Sequence, residues 1–388
     1  MNALGVRDVA AVPRDGASGW RRGLPAPLGA VLERRAAEAD GVSLFARGVW
    51  LEAAARHLVP AQARLWTYAG RDGSGPFSSC VVVRERWRGL PLRVLRLLGD
   101  PLSDRAAWSA SDRADREELL DALVAVPSPW DVALLSELVP DAAERSQIDD
   151  WAGRCGLPCA WELTGEAPIV DLSDGVEAVT ARYGKSLRTR LKRARKKIDA
   201  GGGVAVELHT PSPPETAALL DEVADIERAS WKGDAGVGLF ACPTREAFVR
   251  DAAAGLAAEG ALVIALMRHG GTAIAYRLGF RDRGAFLDYN LAHRPEFGHL
   301  SPGRCLLDHL VRHGPALGVR RIDASRSSMT KPHLLREWPC DIRYHYRLAI
   351  YRNTSLGQLA WWRDTRLRPA VAAARRRLRP TFRNGGPS

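Results

Sequence analysis

Residues 262–331 read LVIALMRHGGTAIAYRLGFRDRGAFLDYNLAHRPEFGHLSPGRCLLDHLVRHGPALGVRRIDASRSSMTK, and the fold follows from how this stretch divides. Two apolar-rich runs, 261–267 and 272–281, flank Gly270-Gly271, which predicts a hairpin. A third run, 285–290, follows the turn Asp282-Arg283-Gly284. Beyond a short loop, residues 304–313 place Leu306, Leu307, Leu310 and Val311 on one helical face. The chain therefore passes from a strand through Ser301-Pro302-Gly303 into a helix. At such a turn the first N–H groups of the helix lack internal partners and carry the positive end of its dipole. A pyrophosphate or another anion fits there. Gly303 lets a ligand approach the backbone, and Pro302 suits a first helical position.

Working outward, a strand at 204–208 is followed by helices at 215–230 and 244–259. Between these helices, the glycine-bearing loop 231–240 starts with Trp231 and Lys232 and is placed to close over an acceptor. Downstream come a strand at 320–324, a Ser-rich loop with Arg326, a short helix at 331–338 and a last strand at 342–351. Upstream, residues 185–197 hold eight Lys and Arg with no acid. They fall on a helix capped by Ser186 and stopped at Gly201, with Leu187, Leu191, Ala194 and Ile198 as its apolar stripe. That face is either solvated or contacts a phosphorylated ligand or RNA.

The first half repeats the plan: a helix at 43–58, strands at 63–68, 77–85 and 92–98, a turn at 100–104, a helix at 113–126 and a strand at 131–135. Its turn, however, carries Asp100 and Asp104 and no Gly, and would repel a pyrophosphate. Residues 159–172 form a bridging strand. The expected division is a flexible arm at 1–40, a degenerate domain at 41–165, a second domain at 166–352 and a basic tail at 353–388.

This order of elements resembles the GNAT acyltransferases, and more narrowly their CelD-type branch (FemAB-like, BioF-like), in which tandem GNAT domains occur. The resemblance implies an α/β fold, each domain a mixed, mostly antiparallel sheet flanked by helices. The family's turn reads Gln/Arg-x-x-Gly-x-Gly/Ala and cradles the pyrophosphate of acyl-CoA. Its positions fall here on Gly298, Ser301 and Gly303, with Pro302 and Arg304 beside them, so the first basic or amide residue is absent. The resemblance also implies that backbone groups of residues 288–291, among them Asn290 and Leu291, bind the thioester carbonyl. It makes Tyr289 a candidate to protonate the leaving thiolate. Asp323, Lys331 and Trp338 match positions that recur in the CelD-type branch. Candidate bases are Asp288, His293, Glu296 and Asp323. The resulting site expectation is Asp288, Tyr289, Asp323 and Lys331 as catalytic groups, with Trp231, Lys232 and Arg326 binding the acceptor.

The chain's 388 residues suit about two domains, and a net charge of +11 favours anionic partners. Six scattered cysteines fit a reducing compartment. No run approaches the ~18–20 apolar residues of a membrane span, and the N-terminus lacks a signal peptide's apolar core, so the expected location is the cytoplasm. His309 and His313 lie at i, i+4 without a third ligand at suitable spacing, so no metal is expected. Neither a G-x-S-x-G elbow nor a P-loop appears.

Three functions follow. The first is acyl transfer from acetyl-CoA or another acyl-CoA to a small-molecule or saccharide acceptor, such as an amino sugar or envelope polysaccharide precursor. The second is a Fem-type ligase using aminoacyl-tRNA, with tRNA on the basic helix 185–197. The third is a non-catalytic RNA- or envelope-associated binding protein. The tail, with Trp361, Trp362 and many arginines, is a candidate for peripheral membrane or RNA contact.

Overall fold

In the computed structural model, which describes residues 19–24, 43–70, 75–110 and 112–368, the alternating apolar runs become strands. These are β1 (Trp20–Arg22), β2 (Arg64–Ala69), β3 (Phe77–Trp87), β4 (Leu90–Leu97), β5 (Trp108–Ser109), β6 (Val132–Leu138), β7 (Cys159–Asp171), β8 (Val204–His209), β9 (Leu262–His269), β10 (Thr272–Asp282), β11 (Ala285–His293), β12 (Arg321–Asp323), β13 (Ser327–Ser328) and β14 (Asp341–Tyr351). The helices are α1 (Gly48–His57), α2 (Arg113–Val124), α3 (Ala142–Arg154), α4 (Val176–Ala181), α5 (Lys185–Gly201), α6 (Pro213–Arg228), α7 (Trp231–Ala235), α8 (Pro243–Ala258), α9 (Pro302–His313) and α10 (Ser355–Trp362). Gly270 and Gly271 both take positive φ and close the β9–β10 hairpin, as their lack of a Cβ permits.

One sheet crosses the whole molecule in the order β1-β2-β3-β4-β6-β14-β7-β12-β11-β10-β9-β8. Only two neighbouring pairs on this path are parallel. Val94–Arg96 lie beside Val132–Leu134, and Ala285–Leu287 beside Arg321–Asp323. Each short parallel stretch then ends, and one strand runs on paired only with its other neighbour, β11 with β10 and β6 with β14. The antiparallel steps β6-β14-β7-β12 reverse the direction an odd number of times. β11 therefore runs opposite to β4, and the two openings face each other across the middle of the sheet: the Tyr289 hydroxyl donates to the Leu102 carbonyl at 2.8 Å, and Arg105 donates to Asp323 at 3.0 Å.

The structure alters several expectations. The boundary expected at 165/166 falls inside β7, which is continuous. β14 lies between β6 and β7, so the first half is completed by a strand from the far end of the sequence. Within the expected N-terminal arm, Trp20 is buried and donates through Nε1 to the Ala122 carbonyl at 3.0 Å; residues 1–18 and 25–42 lie outside the described residues. The helix α3 was not anticipated, although the capping box Asp141–Glu144 marks its start. Ser186 is not the cap of α5: Gly184 is, and Ser186 sits in the first turn. Leu187, Leu191 and Ala194 do form the buried stripe of α5.

Packing ties the halves together as firmly as the sheet does. Trp50 on α1 is buried edge-on against Phe248, Phe280 and Tyr289 of the second half, and donates to Ser103 Oγ at 2.9 Å. Gly255 permits this contact, since a Cβ there would lie 2.9 Å from Val49 Cβ. The order-of-magnitude cost of truncating such a Trp is about 3–5 kcal/mol.

Candidate functional site

The turn before α9 has an unusual backbone. Ser301 adopts the left-handed conformation, φ 56° and ψ 48°, and Pro302 takes the first helical position. A non-glycine residue in that region is strained, and such strain gathers at ligand sites. The Ser301 carbonyl accepts from the N–H groups of Arg304 and Cys305 at 3.0 and 3.2 Å. A Cβ on Gly303 would lie 3.4 Å from Leu334 Cδ2. Arg304 donates to Glu337 at 2.8 and 2.6 Å, and Arg190 of α5 reaches the same carboxylate at 2.7 Å. Arg304 thereby holds the Glu337 carboxyl below its usual pKa. Lys197 donates to the His299 carbonyl at 2.9 Å, and Arg195 pairs with Asp308 at 2.5 Å. The charge run and the Ser-Pro-Gly turn, a hundred residues apart in sequence, thus share one surface.

The strand feeding this turn carries a β-bulge. Leu278 pairs with Asn290 but Gly279 pairs with Asp288, leaving Tyr289 as the extra residue. Gly279 is required here, because a Cβ would stand 2.3 Å from the Leu287 carbonyl oxygen. In a regular strand Asp288 and Asn290 would share a face. The bulge separates them. Asp288 meets Arg277, whereas Asn290 meets Tyr276, the preceding residue of β10 and therefore on the opposite face.

On the Asn290 side a polar group is built into apolar surroundings. Glu227 of α6 is buried and accepts from Phe240 N at 2.7 Å, Tyr276 OH at 2.8 Å and Asn290 Nδ2 at 2.6 Å. Lys232 donates to Asn290 Oδ1 and lies 3.9 Å from Glu227. Its side chain is 19% exposed, and burial lowers its pKa against the pull of Glu227 and Asp288. Residues 231–240 do not form a loop throughout: α7 opens the segment, and Gly236 ends it in the left-handed conformation. Trp231 is 54% exposed, and the Lys331 ammonium stands 5.1 Å from its ring centroid.

The other expected groups sit elsewhere. Asp288 is sealed in a pair with Arg277, with His333 Nε2 at 3.3 Å. Burial alone would raise its pKa, but Arg277 and His333 outweigh that and hold it below the usual carboxylate range. A carboxylate so enclosed is a poor proton acceptor. Tyr289 donates its hydroxyl to the Leu102 carbonyl at 2.8 Å, and burial raises its pKa well above that of a free phenol. Asp323 accepts two bonds from Arg105 at 3.0 Å, and Arg326 pairs with Glu137 at 3.2 Å. His293 is half-buried, with its pKa lowered by burial. His309 and His313 stack with centroids 4.2 Å apart, and no metal-holding cluster exists among the described residues. Leu291 remains on β11 beyond the bulge, and Gly298 accepts from Ser301 N at 3.0 Å.

A cleft of about 1090 Å³ lies between the halves, lined by Arg105, Trp108, Glu137, Asp323 and Tyr344 among others. It touches neither Lys232 nor Asn290 nor the Ser301 turn, so the cleft and the polar group at the bulge are separate features. Glu227, Tyr276, Arg277 and His333 were missed by the sequence reading. A signal existed for two of them. Glu227 continues the buried stripe Leu220, Val223, Ala224 of α6, and Arg277 interrupts an apolar strand.

Residues 185–330 match a family model described as an acetyltransferase (GNAT) domain. No curated protein matches the chain. Among solved structures it is similar to FemX, at 11% identity and a TM-score of 0.59, covering 88% of this chain and 100% of that one. It is also similar to the C-terminal domain of an Agrobacterium fabrum protein described as a lysylphosphatidylglycerol synthetase (13%, TM-score 0.54, 86% and 94%). A third is L-PGS from Bacillus licheniformis (16%, TM-score 0.53, 89% and 96%). These likenesses concern the fold: a mixed sheet with flanking helices.

Proposed function

We propose, from the match of residues 185–330 to an acetyltransferase (GNAT) domain model, that the protein moves an acyl group from acyl-CoA to the amine or hydroxyl of a polar acceptor, of the class of amino sugars or envelope saccharide precursors. The observation that carries this reading is the Lys232–Asn290–Glu227 group at the bulge of β11. A bulge frees backbone groups from the ladder, and an N–H there would bind the thioester oxygen as negative charge develops on it. Lys232, made easier to deprotonate by burial, would take the proton of the attacking amine or hydroxyl. A carbon–nitrogen or carbon–oxygen bond forms, the carbon–sulfur bond breaks, and coenzyme A leaves as thiolate. Trp231 and Lys331 form the face on which the acceptor lies, and the Ser301 turn with Gly303 takes the pyrophosphate. Asp288, Tyr289 and Asp323 then hold the framework instead of reacting.

A specific observation supports the Fem-type reading as the alternative. Lys192, Arg193 and Lys196 are exposed on α5 and form no ion pair among the described residues, as a phosphodiester-binding face requires. Parallel calorimetric titrations of the full chain with acetyl-CoA and with aminoacyl-tRNA separate the two. Saturable acetyl-CoA binding is expected, and tRNA binding without it would move the assignment to the ligase.

A further inference from the structure

Away from the acyl-transfer site, α10 carries an apolar stripe that the described chain leaves uncovered. Its inner face is firmly held. Ala360 and Trp361 pack with Leu92, Val94 and Tyr351. Gly357 lies so near the Arg352 carbonyl that a Cβ would be 2.2 Å from its oxygen. Arg363 donates to the carbonyls of Trp87 and Arg88, both at 2.9 Å, and Tyr351 OH donates to Asp364 at 2.9 Å. The outer face shows Leu356 (38% exposed), Leu359 (46%) and Trp362 (50%), with Leu367 (43%) in the turn that follows. A spacing of three residues puts the first three in one line along the helix. Of two adjacent tryptophans, one is packed inward and the other faces solvent.

Charge decides what covers this stripe. Arg366 and Arg368 are exposed beside it, and residues 365–388 contain seven arginines and no acid. A second copy of the chain would bring the same positive charge and be repelled. RNA would satisfy the arginines but leave the apolar line in water. An anionic bilayer satisfies both, with apolar side chains at the acyl boundary and cations among the headgroups. No described helix is long and apolar enough to cross a membrane, so the contact would lie in the interface plane.

We propose that α10 and the arginines after it dock the protein on an anionic lipid surface, with Leu356, Leu359 and Trp362 inserted and Arg366 and Arg368 paired with lipid phosphates. Flotation of the full chain with phosphatidylglycerol-containing vesicles tests this, with pure phosphatidylcholine vesicles as the second arm. Binding is expected to the anionic vesicles, weakening as salt screens it. Leu359→Asp with Trp362→Asp leaves the inner face intact and should cut binding about tenfold or more, while far-ultraviolet circular dichroism stays unchanged. Arg366→Ser with Arg368→Ser should weaken anionic binding by several-fold and flatten its salt dependence. The proposal is overturned if the wild type ignores anionic vesicles at low salt, or if the double Asp variant binds as well as wild type. It is also overturned if, instead of vesicle binding, sedimentation shows a lipid-free dimer that Trp362→Asp dissociates.

Discussion

The two halves of the sheet share one device and use it differently. In each, three residues of one strand lie parallel to three of another before the pair parts. In the second half the opening leads through a bulge and a left-handed serine into the start of α9, and its polar group includes a lysine partly open to solvent. In the first half the turn after β4 fills itself. Arg96 clasps Asp100 at 2.6 Å. Arg105 ties Asp323 to His345, whose Nδ1 lies 2.7 Å from Glu137. The same topology thus leaves a lysine partly open to solvent in one half and closes its ion pairs internally in the other. Topology alone does not make a site; unspent polar groups do.

The largest expected effect tests which opening performs chemistry. Lys232→Met should lower acyl transfer by about 10²–10⁴-fold, the usual range for a lost proton-transfer group, with little change in melting temperature. Near-normal turnover in that variant would break the comparison. Next in size is the buried pair behind the bulge. Asp288→Ala leaves Arg277 charged, enclosed and unpaired, and should cost about 3–5 kcal/mol of stability. Replacing both partners, Arg277→Met with Asp288→Leu, should recover most of that in chemical denaturation. A single variant as stable as wild type would show that Asp288 does not hold the framework.

The first half has its own signature, which is pH-dependent. Burial pushes the Asp104 carboxyl up to about 7, against the pull of Ser325 beside it. Its folded pKa thus exceeds its unfolded value, so folding favours the protonated form. The contribution of this group to stability is fully present below about pH 4 and is lost as pH rises to about 7, by at most roughly 4 kcal/mol. Asp104→Asn should flatten that slope in urea melts across the range. An unchanged slope would remove Asp104 as its source.

The smallest effect concerns the donor. Gly303→Ala sets a Cβ 3.4 Å from Leu334; on the proposal that this turn takes the pyrophosphate, it should weaken acetyl-CoA binding about tenfold, roughly 1.4 kcal/mol. Asp100→Asn, at the equivalent turn of the first half, should leave that affinity unchanged. Valine at Gly303 is a poorer probe, because its γ-methyls would press on Leu334 and mix packing with binding. An isolated first half is no substitute for this control, since it would lack β14.

Much of the order of elements was legible, because hydrophobic period, glycine turns and caps act over a few residues. Gly270-Gly271 closes its hairpin, the run after Gly303 is a helix, and the apolar stripe of α5 is buried as its spacing implies. The site was read less well. Asp288 and Asn290 look equivalent in sequence, two apart on one strand. An added residue in the ladder sends them to opposite faces, and its register is set by the neighbouring strand. Lys232 and Lys331 stood out as charges near the right loop, but not that one would be drawn inside and the other left on a tryptophan.

By itself, then, the sequence determined the strands and helices, the repetition of a plan, and the Ser-Pro-Gly turn, since each rests on local backbone preference or side-chain period. The tertiary structure alone decided that β14 would be shared between halves and that α5 would lie along α9. It alone put Glu227, Asn290 and Lys232, spread over 64 residues, into one polar group. These outcomes depend on which buried donors find which buried acceptors. That is settled only when distant segments are packed together, because an unpaired polar group inside costs more than any local preference can return.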